Sequence, residues 1–235
     1  MCFTSAAASY AITVDGARAS ATSSSSNSPC EQSGAQNIFV MNSLSPGVHT
    51  IKLVVTFTPS SPDEFRFFGG GITLSVATPG NGVDDSTVID DQDADWMLVP
   101  GRHPGSTWDT GRQPGYHDGT VTFNCLYSPF YTASYKFTGA VGVVLAGSIG
   151  KDDRAFSVAF DSKVYNMDAT SRWEDNQTVY FATGNLDPLH TYQIAIASYN
   201  SDLPDCPSVG EPGGPVTRAC CVGFDYLMLL KAKTR

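Results

Sequence analysis

Apolar and polar positions alternate in short runs, and the runs are separated by turn residues. Residues 10–14 (YAITV) are β-branched and aromatic, and Asp15 and Gly16 close them with a tight turn. Residues 20–36 (SATSSSSNSPCEQSGAQ) read as a polar loop and residues 37–41 (NIFVM) as the next strand. A turn at Leu44, Ser45, Pro46 and Gly47 precedes residues 49–58 (HTIKLVVTFT), which alternate and then run apolar as a strand. A polar loop with Pro59, Pro62 and Asp63 leads to a last strand at 71–77 (GITLSVA), and 79–85 (PGNGVDD) form a linker.

The same order recurs further on. Strands are expected at 156–160 (FSVAF), 178–182 (TVYFA), 190–198 (HTYQIAIAS) and 223–231 (GFDYLMLLK). Polar loops fill 161–176 and the Pro-rich stretch before 223. Asp161 falls opposite Asp15. Leu186, Asp187 and Pro188 before His190 fall opposite Leu44, Ser45 and Pro46 before His49. The pattern reads as an internal duplication at an offset of about 145 residues.

The second copy has a front half that the first lacks. An acidic opening strand at 89–99 is followed by strands at 120–124 (TVTFN), 133–138 (ASYKFT) and 141–146 (VGVVLA). Residues 87–108, acidic and then rich in Gly and Pro, mark where this domain opens. The expected fold is all-β, a complete jelly-roll β-sandwich at 87–235 preceded by a partial one at 1–86. Half a sandwich leaves one apolar sheet face uncovered. It packs on the complete copy, or two chains complete each other, or the natural start lies upstream of Met1; the third is preferred.

Composition narrows the function. Apolar residues make 41% of the chain and charged ones only 16%, with a net charge of −9. No basic face is left for nucleic acid or for anionic lipid. No apolar run approaches the roughly 18 residues of a membrane helix, and the first residues lack the basic and apolar regions of a signal peptide. Six cysteines, Cys2, Cys30, Cys125, Cys206, Cys220 and Cys221, contain no CxxC pair, which argues against zinc. They are either six reduced, buried thiols or disulfides. The long polar loop between Cys206 and Cys220 favours disulfides, with one of the vicinal Cys220 and Cys221 bonded to Cys206. Asn176, Gln177 and Thr178 form an N-glycosylation acceptor. Taken literally, the missing signal peptide predicts a cytosolic protein; the disulfide reading and the acceptor triplet favour an extracellular or cell-surface location instead.

Residues 89–96 (IDDQDADW), 135–139 (YKFTG), 156–161 (FSVAFD), 186–191 (LDPLHT) and 223–227 (GFDYL) carry a likeness. In that order they resemble a family of fungal, mainly basidiomycete, cell-surface proteins with tandem galactose-binding-like jelly rolls. The likeness covers 88–235 and, as a half, 9–78. It implies carbohydrate binding, sometimes with a structural calcium ion. In the first copy Gly70, Gly71, Ile72 and Thr73 stand where the second has Phe224, Asp225 and Tyr226.

Asp90, Asp91, Asp93 and Asp95 form the densest carboxylate cluster. Carboxylate oxygens are the ligands calcium takes, and first and last strands lie close in a jelly roll, so Asp90, Asp91, Asp93 and Asp225 are the candidate metal ligands. The competing reading is an acidic strand end that caps turns. Trp108, Tyr116 and Trp173 are candidate stacking platforms for a sugar, with Asp109, Arg112 and Asp175 as hydrogen-bonding neighbours. Their alternative is core packing, which is preferred outright for Trp96. His49, His103, His117 and His190 are scattered, and neither a GxSxG motif nor a phosphate loop occurs. The expected function is non-catalytic binding of a glycan or cell-wall polysaccharide. A self-associating structural domain is the alternative, and a jelly-roll enzyme such as a glycoside hydrolase comes third.

Overall fold

The computed structural model describes residues 1–6, 8–42, 44, 45, 49–56, 64–71, 76, 78, 82–102, 107–150, 152–169, 174–206 and 220–233. The chain divides into two compact units, Met1–Thr73 and Leu74–Arg235. No helix among the described residues is long and apolar enough to cross a membrane.

The second unit holds strands β8 (Val83–Asp90), β9 (Met97–Val99), β10 (Asp109–Arg112), β11 (Thr120–Asn124), β12 (Thr132–Phe137), β13 (Gly142–Ile149), β14 (Ala155–Phe160), β15 (Lys163–Asp168), β16 (Asp175–Gly184), β17 (Tyr192–Ala197) and β18 (Val222–Ala232). One sheet runs β10-β11-β18-β13-β16, with β8 also paired to β18; the other runs β15-β14-β17-β12-β9. Alternate residues of each sheet meet in one core. Val143, Leu145, Phe224, Leu227 and Leu229 face Phe156, Val158, Phe160, Ile194 and Ile196, with Trp96 and Trp108 among them. This is the expected jelly-roll β-sandwich, built of antiparallel pairs.

β18 is the axis of its sheet. Its first residues pair with β11 (Thr122 opposite Phe224) and its later ones with β8 (Leu227 opposite Ile89). Its other edge pairs with β13 from Phe224 to Leu230. The register shifts between Ala146 and Gly147. The core positions on β18 change step there, from Val222 and Phe224 to Leu227 and Leu229. Asp225 and Tyr226 therefore fall consecutively outside the core, as at a β-bulge.

The first unit holds β1 (Cys2–Ala6), β2 (Ser9–Val14), β3 (Ala17–Ala19), β4 (Thr22–Ser23), β5 (Asn37–Ile38), β6 (Ile51–Thr56) and β7 (Glu64–Gly69). Its sheets run β4-β5-β1-β7 and β3-β2-β6. Phe3, Ile12, Val14 and Phe39 form its core, flanked by Tyr10, Leu53 and Phe65. Within these sheets β5-β1-β7 follows the order of β16-β13-β18, and β3-β2-β6 that of β15-β14-β17. The Asp15 and Asp161 turns both adopt the left-handed backbone of a tight hairpin, with φ of 51° and 47°.

Several expectations change. β1 and β7 form strands where none was expected, and β7 (EFRFFG) pairs beside β1. Most of residues 71–77 lie outside the described residues. The stretch 20–36 is not a bare loop: it holds β4 and α1 (Ser28–Gln32), tied down by the Cys2–Cys30 disulfide. The polar loop expected after Asp161 begins with strand β15, which pairs along the whole of β14. The expected linker at 79–85 loses its end to β8, since Val83 already pairs with Ala232.

Candidate functional site

Two polar sites emerge on the second unit. The first is a cleft of about 330 Å³ on the outer face of the larger sheet. Val121 and Phe123 project there from β11 because Thr122 and Asn124, one residue out of step, are fully buried beneath. Gly111, opposite Val121 in the ladder, leaves the floor open. At the β13 end the chain needs Gly147. A Cβ there would lie 2.2 Å from the Gly223 carbonyl oxygen and 2.4 Å from the Tyr180 ring. The Tyr180 hydroxyl donates to the Ser148 carbonyl, and Ser148, Ile149 and Gly150 line the cleft.

The turn 150–154 brings the charge. Cys221 is bonded to Cys125, and Cys206 to Cys220; no cysteine is free. The Cys221 amide donates to the Asp152 carbonyl at 2.9 Å, and the Arg154 amide donates to the Cys221 carbonyl at 3.0 Å. The cystine thus fixes Asp152 and Asp153 at the cleft, which Gln113, Tyr116, Glu174 and Asn176 also line. Asp153 is 6% exposed. Burial pushes its carboxyl up to about 7, and the Asp152 charge pushes the same way against the weaker pull of Arg154. Burial also raises the Tyr116 hydroxyl.

The second site is the acidic group where β8 meets β18. Asp225 is fully buried, and its carboxylate accepts the His117 amide at 2.9 and 3.1 Å. Burial raises it to about 7, with the Asp91 and Asp90 charges adding to the shift. Burial likewise raises Asp90, whose Oδ2 is enclosed without a hydrogen-bond partner among the described residues. Ligand atoms of Asp90, His117 and Asp118 lie within 4.8 Å of one another. An enclosed, unpartnered carboxylate oxygen beside further carboxylates fits a hard dication.

The other two expected ligands are engaged in holding the turn. Asp91 accepts the Thr120 and Thr122 hydroxyls, each at 2.6 Å, and the Gln92 amide. Asp93 caps the Asp95 amide at 2.9 Å. His117 and Asp118 stand closer to Asp90 than the sequence spacing indicated.

The expected stacking residues separate. Trp108 is fully buried, its ring against Phe224 and its Nε1 donating to the Val99 carbonyl at 3.1 Å, so it is a core residue and offers no face to a sugar. Tyr116 lines the cleft. Asp109 shares the cleft's face on β10 but lies beyond its rim, and Arg112 is exposed outside it. Asp175 is exposed between Glu174 and Asn176 and caps the Gln177 amide at 3.1 Å. Trp173 and His103 lie outside the described residues. Asp152, Asp153 and Gln113 were missed. A charged run at 152–154 between two apolar strands was the signal that could have found the first two.

A second depression, of about 310 Å³, is lined by Asp161, His190 and Tyr192. In the first unit the corresponding Asp15 and His49 are bonded at 2.7 Å, with the His49 Nε2 2.6 Å from the Ser45 carbonyl. The paired Asp and His positions are therefore structural in the first unit.

No protein-family model matches the chain, and no curated protein matches it. Eighteen solved chains do. A family 35 carbohydrate binding module from Clostridium thermocellum is 9% identical, covering 63% of this chain and 99% of its own, at a TM-score of 0.39. A family two carbohydrate esterase from Cellvibrio japonicus is 10% identical over 64% of this chain, at a TM-score of 0.33; the match spans 34% of the esterase's length. A carbohydrate-binding module, CBM36, in complex with calcium and xylotriose is 12% identical, covering 60% of this chain and 97% of its own, at a TM-score of 0.28.

Proposed function

We propose that the second unit is a non-catalytic glycan-binding module of an extracellular protein, and that the outer-face cleft holds the sugar. The carrying observation is the make-up of the cleft. Carboxylates (Asp152, Glu174) and amides (Gln113, Asn176) converge beside the Tyr116 and Phe123 rings. Hydroxyl pairs of a sugar take planar acceptors and amides, and its CH face takes a ring. The three disulfides support an oxidising, extracellular setting. Asp90, Asp118, His117 and Asp225 would hold a calcium ion, which would neutralise the buried charge where β8 meets β18. Trp173 and Asp175 flank Glu174 in the chain and belong to the same proposal.

A glycan array run with calcium and with chelator tests both parts. Binding is expected to fall at least tenfold, ~1.4 kcal/mol or more, in Tyr116→Ala and Glu174→Gln, and to stay unchanged in Arg112→Ala. Calcium is expected to raise the melting temperature of the wild type and not of Asp90→Asn. Array binding that survives the two cleft substitutions would remove the site.

A second reading is self-association through the first unit. β6 pairs only with β2, and β7 only with β1, among the described residues, and Ile51, Val54, Phe67 and Phe68 are exposed on them. Unpaired strand edges invite pairing with another chain. Light scattering decides: a strict monomer at high concentration removes this reading.

A further inference from the structure

We propose that Asn176 is an N-glycosylation site and that its own glycan seats in the cleft, so that modification sets whether the cleft is free. This rests on the reading of the cleft as a sugar site.

Asn176, Gln177 and Thr178 are the one acceptor triplet in the sequence. They open β16, which pairs only with β13 among the described residues and so has a free edge. The ladder is broken there. Asp175 pairs with Ile149 and Thr178 with Gly147, and the register shifts between them. Asn176 is thus on an accessible, loosely tied stretch of edge strand. Disulfides form in the same oxidising compartment in which such triplets are modified.

The amide is poorly held. Among the described residues its one hydrogen bond is donation from Nδ2 to the Pro114 carbonyl at 3.4 Å. A Cβ on Gly115 would lie 2.8 Å from that nitrogen, and Gly115 has φ of +106°. Only glycine permits this approach, and nothing larger than hydrogen fits between the two. In the modification, Nδ2 bonds to the anomeric carbon of a lipid-pyrophosphate-linked oligosaccharide. The carbon–oxygen bond to the pyrophosphate breaks, the lipid pyrophosphate leaves with the electron pair, and the amide proton passes to the transferring enzyme. The attached sugar cannot extend through Gly115. It turns instead along the cleft that Asn176 already lines together with Gln113, Tyr116, Asp152 and Glu174.

The test uses the whole chain secreted from a eukaryotic host. Glycopeptide mass spectrometry is expected to place one glycan on Asn176, lost in Thr178→Ala and kept in Thr178→Ser; an unmodified Asn176 overturns the proposal. Seating is read from glycan release by an amidase acting on the folded protein. Release is expected to be at least tenfold faster in Tyr116→Ala and in Gln113→Ala than in the wild type, and equal rates in all three overturn the seating. On a glycan array the unmodified Thr178→Ala chain is expected to bind at least tenfold more tightly than the modified wild type; equal binding also overturns the seating. If Thr178→Ala binds no glycan, the proposed function fails, while mass and release rates still decide this inference.

Discussion

Asp153 shows what a single buried carboxyl does here. Its folded-state pKa, about 7, lies above the ordinary carboxyl value of 3.8. The folded chain therefore keeps a proton that the unfolded chain has lost, and stability declines from about pH 4 to about pH 7 before levelling off. Asp153→Asn removes that slope. Thermal unfolding is expected to give the variant the higher melting temperature at pH 8 and the same one at pH 4. A gap of equal size at both values would place the carboxyl outside this role. Trp108 makes the opposite point. Trp108→Ala is expected to cost about 3–5 kcal/mol as a large-to-small core change, read by denaturant unfolding, whereas Tyr116→Ala leaves stability nearly intact and loses binding. The sequence could not separate these two aromatics. Both sit in Gly- and Pro-rich surroundings, and only the ring contact with Phe224 and the bond to Val99 put Trp108 inside.

At the scale of elements, strands with strict alternation or a sustained apolar run were legible. β2, β11, β12, β13, β14, β17 and β18 lie where the pattern put them. β1, β7 and β15 were not, because CFTSA, EFRFFG and KVYNMD carry polar or glycine positions that local pattern assigns to loops. Pairing with neighbours supplies what their own residues lack. The acidic site was legible as a cluster, since its aspartates are close in sequence. The cleft was not: Gln113, Asp153 and Glu174 meet only through strand order and the cystine that fixes the turn. That cystine carries a prediction. Replacing Cys125 and Cys221 together by Ala is expected to cost about 2–4 kcal/mol, since the bond closes a long loop. It is also expected to weaken glycan binding more than the equally conservative replacement of Cys2 and Cys30, which lie in the other unit. Equal effects on binding would break the link between cystine and cleft.

For the whole molecule, the division into two units has a direct consequence. Both disulfides of the second unit close within it, and among the described residues its sheets recruit no strand from the first. A chain of residues 82–233 is expected to unfold in one cooperative step, with the same glycan preference as the full chain. Calorimetry showing no transition in that segment would contradict it. The matching strand orders of the two units support our reading of an internal duplication, with the first unit corresponding to the back half of the second.

β18 gives the second unit an order of assembly. It is the last strand of the unit to leave the ribosome, yet it borders β8, β11 and β13. Until it arrives, β8 has no neighbour in its sheet among the described residues, and Cys125 waits for a partner that is nearly a hundred positions later, at a separation of 96. Such distant pairing slows folding. A ribosome that stalls before residue 220 therefore holds a chain with open strand edges and with Cys125 and Cys206 still without their partners.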